Sequence, residues 1–249
     1  MLDAAVTGAD RRRLAACVRL LHREGLLTYN GHVSMRLPGI DALLIHSLVE
    51  SRAEVSPDAL LTIDFDGRVL EGPAGLKPPS EYPIHAEIYR ARSDVGAVAH
   101  IHSEHAIAFT LVEGVRLTAM RCDALDWADG VPVHPDPTRI KDASQGRALA
   151  STLGSGNAAL MRAHGAVLTA PSVIEVFKTC IQFEENARVQ MLAAQLGKLA
   201  PLTRDELAAL QRSHPAEFRA HYARKIWAYH ITQGHREGII PETWLEVLL

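Results

Sequence analysis

The stretch that decides the fold runs from Pro79 to His102 and reads PSEYPIHAEIYRARSDVGAVAHIH. Its first half predicts a helix over 81–92, because Ser80 is a suitable N-cap and apolar residues recur on one face. Its second half alternates over 95–102, so that His100 and His102 leave the same face of a buried strand. A helix that leads into a strand ending in two imidazoles predicts an α/β domain with chemistry at that strand end.

Helices and short strands also alternate in the rest of the chain. The apolar spacing after Asp10 predicts a first helix that ends before Leu27, with Asp10 as its cap. The dipeptide Asp66-Gly67 is a strong hairpin signal. The other predicted elements are strands at 43–46, 60–65, 68–70, 158–161 and 166–169, and helices at about 104–112, 138–153, 171–196, from the capping box Thr203 with Glu206, and after Pro215. Without a repeat or a linker, this order predicts one three-layer α/β/α domain over residues 1–249.

Composition and charge exclude several classes of protein. Of the 249 residues, 47% are hydrophobic, and 26 basic against 29 acidic residues give a net charge of −3. A globular protein that binds neither nucleic acid nor an anionic membrane is therefore expected. No apolar run is long enough to span a bilayer, and the N-terminal MLDAAVTGADRRR lacks the order of a signal peptide, which predicts a cytoplasmic location. The three cysteines, Cys17, Cys122 and Cys180, are too widely spaced for a thiolate zinc site.

The thirteen histidines are the unusual feature of the composition. His100 and His102 are within reach of one divalent ion, and His164, beside Gly165 at a strand turn, would complete a three-histidine site with an open position. The alternative is that each imidazole is a polar residue at a sheet edge. Glu81 is the nearest carboxylate. It is either a metal ligand or general acid/base, or a helix-start residue favoured by the macrodipole.

The motifs around the H-x-H pair carry a family resemblance. The stretch Pro79–His102 resembles the signature P-S-x-E…H…I-Y…R-x-D-V-x-A-V-x-H-x-H of the class II aldolase/adducin family, through Pro79-Ser80-Glu81, His85, Ile88-Tyr89, Arg92, Asp94-Val95, Ala97-Val98 and His100-Ile101-His102. Outside this stretch, Asn30–Arg36 (NGHVSMR) resembles the family's N-x-S-x-R loop, Ser56–Leu60 (SPDAL) its S-P-x-D-L segment, and Arg162–Gly165 (RAHG) its R-x-H-G element. Together the motifs span about residues 10–195 in the family's order, which is more specific than any single motif.

The resemblance implies a fold, an assembly and a metal site. The fold is a central, mainly antiparallel sheet between helical layers. The assembly is a homotetramer with active sites at subunit interfaces, where the C-terminal helices at about 203–232 would lie. One divalent ion per chain, Zn²⁺, Mn²⁺, Co²⁺ or Fe²⁺, would be bound by His100, His102 and His164, with Glu81 as the acid/base. The presence of all four residues speaks against the family's non-catalytic, adducin-like branch of interaction modules.

The departures from the family concern the substrate. Its sugar-phosphate aldolases hold phosphate with a T-x-S-G-type turn and a Ser-Ser pair, where this chain has His46–Val49 and Pro79-Ser80. Few small residues remain to bring backbone N–H groups to a phosphate, so a phosphorylated substrate is disfavoured. Arg121 stands where those aldolases place a catalytic tyrosine. Its planar fork suits a carboxylate, and the alternative is a salt-bridged surface arginine.

These features predict a metal-dependent, non-oxidative decarboxylase of an ortho-hydroxy aromatic acid, of the dihydroxyphthalate or hydroxypyridine-dicarboxylate type. Asn30, Ser80 and Arg121 are the expected substrate-binding residues, with Arg121 for a second carboxylate of this small-molecule acid. His85 and His32 either donate hydrogen bonds behind the metal ligands or are structural. The alternatives are an aldolase for an unphosphorylated hydroxy-keto acid or sugar derivative, and the metal-free interaction module.

Overall fold

One eight-stranded sheet forms the middle layer of the computed structural model, which describes residues 6–249. Its strands, in chain order, are β1 (His32–Arg36), β2 (Ala42–Ile45), β3 (Leu61–Asp64), β4 (Val69–Glu71), β5 (Ala97–Ile101), β6 (Val133–His134), β7 (Ala158–Met161) and β8 (Gly165–Ala170). They lie in the order β4-β3-β2-β1-β5-β8-β7-β6, and every neighbouring pair is antiparallel except β6 with β7. The predicted central, mainly antiparallel sheet is therefore confirmed. Residues 1–5, part of the stretch in which no signal peptide is predicted, lie outside the described residues.

Helices cover both faces of this sheet. Within residues 6–249 the α-helices are α1 (Gly8–Arg23), α2 (Pro83–Ala91), α3 (Glu104–Ala108), α4 (Ala143–Leu153), α5 (Val173–Leu196), α6 (Arg204–Ser213), α7 (Ala216–Arg236) and α8 (Leu245–Leu248), with short 3-10 turns at Pro57–Ala59, Leu125–Trp127 and Glu242–Trp244. Apolar side chains of α1, α5, α7 and α8 share one core with one face of the sheet, and those of α2 and α4 form a second core with the other face. The three-layer α/β/α arrangement is confirmed. None of these described helices has both the length and the apolar character that crossing a bilayer requires.

The side chains of β5 alternate as the sequence predicts. Ala97, Ala99 and Ile101 lie in the core shared with α1 and α5, whereas Val98 lies in the core shared with α2 and α4. His100, two residues after Val98, therefore points to the α2 side. The register of β1 on β5 places His32 directly opposite His100. The two histidines thus share the face of the sheet that α2 covers.

The start of α2 differs from the prediction. Ser80 is exposed and is not the N-cap, because residues 80–82 form a turn and the helix begins at Pro83 after Tyr82, whose side chain makes no capping hydrogen bond. Pro83 has no N–H to donate and its fixed φ suits the first helical position, so the helix starts there. Glu81 consequently lies in the turn before the helix and not in its first turn.

The cap of α1 is Thr7 and not Asp10. Thr7 Oγ1 accepts a hydrogen bond from the Asp10 backbone N–H at 3.1 Å, and the Asp10 carboxylate accepts one from the Thr7 N–H at 3.1 Å. A cap must precede the first helical turn, and Asp10 is three positions too late, so it closes a capping box instead. The capping box predicted at Thr203 and Glu206 is confirmed.

Three other helices are shorter than predicted. The helix over 104–112 ends at Ala108, the one over 171–196 begins at Val173 after the cap Ser172, and the one over 138–153 begins only at Ala143. In this last case the carboxylate of Asp142 accepts a hydrogen bond from the Gln145 N–H and fixes the start of α4. Residues 138–142 therefore belong to the loop before α4.

Gly146 sets how closely α4 packs on α2. A Cβ at this position would lie 2.6 Å from the Pro83 carbonyl oxygen and 2.8 Å from Glu87 Cγ. We expect Gly146→Ala to lower the free energy of unfolding by about 1–3 kcal/mol, because the two helices must move apart. Urea denaturation measures the change.

Gly8→Ala is the matched control for Gly146→Ala. Gly8 is also helical with an ordinary φ, and a Cβ there would meet only the end of the Arg12 side chain at 3.9 Å. The stability of this variant should stay the same or rise by up to about 1 kcal/mol. An unfolding midpoint that is unchanged in Gly146→Ala would contradict the close contact between α2 and α4.

Candidate metal and acid/base site

Three imidazoles converge where β5 ends and β8 begins. One ring nitrogen each from His100, His102 and His164 lies within 4.8 Å of the other two, and His100 Nε2 is 3.1 Å from His102 Nε2. Two zinc–nitrogen bonds of about 2.0–2.1 Å at a tetrahedral angle separate their nitrogens by about 3.3 Å. The spacing therefore fits one shared divalent ion.

His100 is oriented by the neighbouring strand. Its Nδ1–H donates to the Ala166 carbonyl at 3.2 Å, which leaves the Nε2 lone pair directed at the cluster. Burial, followed by the neighbouring imidazoles, lowers the pKa of His100 well below its ordinary value. Burial also lowers the pKa of His102 to about 4, helped by His164 and Arg139. Both rings are therefore neutral near pH 7, as metal ligation requires.

His164 is placed by a tight turn between β7 and β8. The backbone N–H of His164 donates to the Met161 carbonyl at 3.0 Å. Ala163, the residue before it, has a φ of 54°, in the left-handed region. The Ala163 N–H donates to Thr110 Oγ1 at 3.0 Å, which holds this uncommon conformation. A Cβ at Gly165 would lie 2.3 Å from the Ile101 carbonyl oxygen. The glycine of the R-x-H-G element thus lets β8 approach β5 closely enough for His164 to join the pair on β5.

Glu81 faces the cluster from the turn before α2. Its Oε1 lies 3.6 Å from His164 Nε2, and this oxygen is buried without a hydrogen-bond partner. Folded proteins rarely leave a buried carboxylate oxygen unpaired, so such an atom points to an ion, a water or a ligand that would satisfy it. The donor set of three neutral imidazoles and one carboxylate fits a divalent cation.

An open cavity of about 270 Å³, here called the His–Glu cavity, borders these residues. The residues that line it are Asn30, Glu81, His102, Pro137, Arg139, Ala163 and His164. Of the residues predicted to bind substrate, Asn30 is therefore brought to the site. Ser80 does not line this cavity, because the turn before α2 directs it to the surface.

Arg121 lies elsewhere in the same chain. Its guanidinium bonds Asp123 at 3.0 and 3.1 Å and Glu185 at 2.9 Å, and these contacts raise its pKa. It lines a second cavity of about 270 Å³, here called the Arg121 cavity, together with residues that include Lys178, Phe218 and Tyr222. Within one chain, Arg121 and the His–Glu cavity are separate.

His32 and His85 lie behind His100 and line neither cavity. The ring centroid of His32 is 5.0 Å from that of His100, and His32 Nδ1 is 2.5 Å from His85 Nε2. A ring nitrogen of His32, a carboxylate oxygen of Glu81 and a ring nitrogen of His100 also lie within 4.8 Å of one another. His32 therefore reaches the edge of the site, and His85 lies one hydrogen bond further back.

Comparisons with known proteins agree with this fold and site. Residues 12–191 match the family described as Class II Aldolase and Adducin N-terminal domain. The chain belongs to this family. It is similar to proteins named 3,4-dihydroxyphthalate decarboxylase from Arthrobacter keyseri, at 29% identity over 76% of this chain and 80% of the relative, and from Rhodococcus jostii (strain RHA1), at 30% identity over 78% and 82%. These relatives confirm the resemblance to the decarboxylase branch.

The fold is also that of a solved structure. An aldolase II superfamily protein from Pseudomonas syringae superposes with a TM-score of 0.83, at 24% identity, covering 96% of this chain and 98% of that one. This likeness supports the class II aldolase fold from α1 to the C-terminal helices.

Arg139 is the charged residue of the cavity that the sequence does not predict. It stands in the loop PDPTRIKD (135–142), is exposed, and forms no ion pair with any residue in 6–249. Its charge helps to lower the pKa of His102 and of His164, in both cases after burial. The signal for it in this class II aldolase family member is weak. The sequence predicts a helix over 138–153, and no spacing rule links a lone arginine to the H-x-H pair.

We expect the protein to bind about one divalent ion per chain after reconstitution with zinc or manganese. His100→Ala, His102→Ala and His164→Ala should each lose the ion, because a three-histidine site has no ligand to spare. Elemental analysis of the purified variants measures the content. His221→Ala, at an exposed position of α7, is the control that should keep it. Full metal content in all three variants would contradict the site.

Proposed function

We propose that this class II aldolase family member is a metal-dependent, non-oxidative decarboxylase of an ortho-hydroxy aromatic acid with a second carboxylate, of the dihydroxyphthalate or hydroxypyridine-dicarboxylate type. The observation that carries the proposal is Glu81 Oε1, buried without a partner and 3.6 Å from an imidazole of a three-histidine cluster. The similarity to relatives named for decarboxylation of a dihydroxyphthalate supports the choice of reaction.

The chemistry divides between the ion and the chain. A divalent ion at His100, His102 and His164 would supply a Lewis acid that stabilises negative charge on the hydroxyl oxygen of the substrate. When the bond from the ring carbon to the carboxylate breaks, CO₂ leaves and the electron pair stays on the ring, conjugated with that oxygen. Glu81 in its protonated form gives its proton to that carbon and takes the next one from solvent. Atoms and charges then balance for each turnover.

Arg139 is the proposed partner of the substrate's second carboxylate within the chain. Its guanidinium lines the His–Glu cavity and has no carboxylate partner in residues 6–249, whereas Arg121 is already paired with Asp123 and Glu185. Arginine binds carboxylates in a bidentate geometry that also fixes the orientation of the acid. Arg139 therefore has the free binding capacity that the sequence analysis assigned to Arg121.

Arg121 would act from a neighbouring subunit. The family resemblance implies a homotetramer with sites at interfaces, and the Arg121 cavity of one subunit would then border the His–Glu cavity of the next. Phe218 and Tyr222 in α7 line the Arg121 cavity, so this proposal would give the C-terminal helices at about 203–232 the interface role that the resemblance implies. Arg121 would then add a second cation beside the acid when the subunits assemble.

Two exposed side chains on neighbouring loops support an aromatic ring over a sugar phosphate. Tyr29, next to the cavity residue Asn30, is 86% exposed, and Val49 in the loop that replaces the phosphate turn is 78% exposed. Arg52 joins the two loops, because its Nε donates to the Gly31 carbonyl at 3.1 Å and its Nη1 to that of Leu48 at 3.5 Å. Side chains of this kind provide stacking and apolar contact rather than anion binding.

The aldolase alternative shares the ion and the acid/base. Retro-aldol cleavage of an unphosphorylated hydroxy-keto acid also leaves an electron pair conjugated with an oxygen, a charge that a divalent ion held by the three histidines would stabilise, so the same four residues fit it. The two reactions differ in the product, which is CO₂ in one case and an aldehyde in the other. The non-catalytic module differs from both because it needs no metal.

Glu81→Gln separates chemistry from metal binding. The amide keeps the shape of the side chain but cannot transfer the proton, so we expect kcat to fall by at least about 10² while most of the metal is retained. CO₂ release and elemental analysis on the same preparation measure both. Glu104→Gln, at the exposed start of α3, should change neither. A near-normal kcat in Glu81→Gln would exclude Glu81 as the acid.

The substrate class is tested by product and by arginine substitution. With dihydroxyphthalate-type or hydroxypyridine-dicarboxylate acids, the metal-loaded protein should release CO₂, and sugar phosphates should give no aldehyde. We expect Arg139→Ala to raise KM for a diacid by about ten-fold or more, because one desolvated carboxylate loses its partner. Arg121→Lys should raise KM for a diacid more than for a monoacid, because lysine loses the bidentate match.

Arg147→Ala is the control for both arginine variants. Arg147 is exposed on α4 and pairs with Glu87 at 3.7 Å, away from both cavities. Its kinetics should match the wild type. Aldehyde release without CO₂ from any hydroxy-aromatic acid would establish the aldolase alternative. Equal responses of diacid and monoacid in Arg121→Lys would remove Arg121 from the site.

A further inference from the structure

Four buried polar side chains form a chain of hydrogen bonds that runs from His32, at the edge of the site, into the layer between β1 and α2. Tyr89 Oη is 2.8 Å from Ser34 Oγ, Ser34 Oγ is 2.7 Å from His85 Nδ1, and His85 Nε2 is 2.5 Å from His32 Nδ1. The side chains are at most 3% exposed. These bonds are direct and shielded from bulk water. Each hydrogen that is donated within them must therefore find its acceptor among the four side chains.

The far end of this chain fixes its direction. Ser34 Oγ is the one acceptor that Tyr89 Oη meets within residues 6–249, and burial raises the pKa of the phenol, so Tyr89 keeps its proton and donates it to Ser34. Ser34 then donates its own hydroxyl hydrogen to His85 Nδ1. His85 carries its hydrogen on Nε2 and donates it to His32 Nδ1. The reverse direction would leave the Tyr89 hydroxyl hydrogen buried without an acceptor.

Each of the two imidazoles carries a single hydrogen. The direction of these hydrogen bonds therefore also fixes which ring nitrogen of His32 is protonated. Ser34 Oγ gives its one hydrogen to His85 Nδ1, and His85 Nε2–H gives its hydrogen to His32 Nδ1, so each Nδ1 offers a lone pair and neither ring is doubly protonated. A neutral ring whose Nδ1 accepts must bear its hydrogen on Nε2. His32 Nε2 has no hydrogen-bond partner in residues 6–249, and a nitrogen of this ring lies within 4.8 Å of a Glu81 oxygen.

We propose that the Tyr89–Ser34–His85 chain holds His32 as an Nε2–H donor directed at the Glu81 carboxylate, and so makes it a positioning residue and not a metal ligand. The proximity of His32, Glu81 and His100 alone would also suit a second position for the ion. A ligand nitrogen must offer a lone pair, and this one carries a hydrogen. Glu81 Oε1 has no hydrogen-bond partner within residues 6–249, so the carboxylate has acceptor capacity left for this donor. The part concerning catalysis rests on the proposed role of Glu81.

Two substitutions of His32 distinguish its role as a hydrogen-bond donor to Glu81 from a role as a metal ligand. The amide nitrogen of glutamine reaches the place of Nε2, whereas that of asparagine reaches only the place of Nδ1. We expect His32→Gln to keep kcat within about ten-fold of wild type and His32→Asn to lose a further ten-fold or more, with metal content unchanged in both. Loss of the ion in both variants, or a higher kcat in His32→Asn than in His32→Gln, would overturn the proposal.

Nitrogen-15 NMR of histidine-labelled, zinc-loaded protein tests the hydrogen itself. In the wild type the His32 signals should show a protonated Nε2, and Tyr89→Phe and Ser34→Ala should convert His32 to a mixture of tautomers and lower kcat by about ten-fold. Thr179→Val removes a buried hydroxyl that donates only to the Glu175 carbonyl and should change neither signal nor rate. An unprotonated His32 Nε2 in the wild type would refute the inference. If His32 shows the Nε2–H form but no acid releases CO₂, the tautomer assignment stands and the proposed function fails.

Discussion

The antiparallel pairing of β5 with β8 is the constraint on which the site depends. β5 carries His100 and leads directly to His102, and β8 follows the turn that carries His164. Gly165 allows the two backbones to meet, since any side chain there would collide with the Ile101 carbonyl oxygen. The same pairing supplies the Ala166 carbonyl that fixes the ring of His100. The positions of the three imidazoles, and the tautomer of His100, therefore depend largely on backbone hydrogen bonds.

Prediction from the sequence succeeds where a structural feature depends only on residues within one short segment. Alternation over 95–102 places His100 on the α2 side of the sheet, and Thr203 with Glu206 forms the capping box, because both features depend on neighbours within a few residues. Ser80 fails as a cap because Pro83 competes for the helix start. Asp10 shows the same limit. It takes part in the capping box of α1, but as the residue that closes the box, whereas the cap itself is Thr7.

Arg121 and Arg139 show what local patterns do not contain. Only the number of residues between His100 and Arg121 can be read from the sequence. The ion pairs of Arg121 with Asp123 and Glu185 depend on how its loop packs against α5. Arg139 reaches the His–Glu cavity because Asp142 delays the start of α4 and leaves 138–142 as a loop. Family motifs identify the three histidines and Glu81, but the two arginines that we propose for substrate binding lie in loops whose path is set by tertiary contacts.

The contact between α2 and α4 also has a consequence for the His–Glu cavity. Glu81 lies in the turn before α2 and Arg139 in the loop that leads into α4, so each stands at the N-terminal end of its helix, and both line the His–Glu cavity. The two helices meet at Gly146, where the carbonyl of Pro83 and the side chain of Glu87 lie against α4. The packing of α2 on α4 therefore bears on how far the turn that carries Glu81 stands from the loop that carries Arg139. A larger residue at position 146 would disturb that separation without replacing any group that lines the His–Glu cavity.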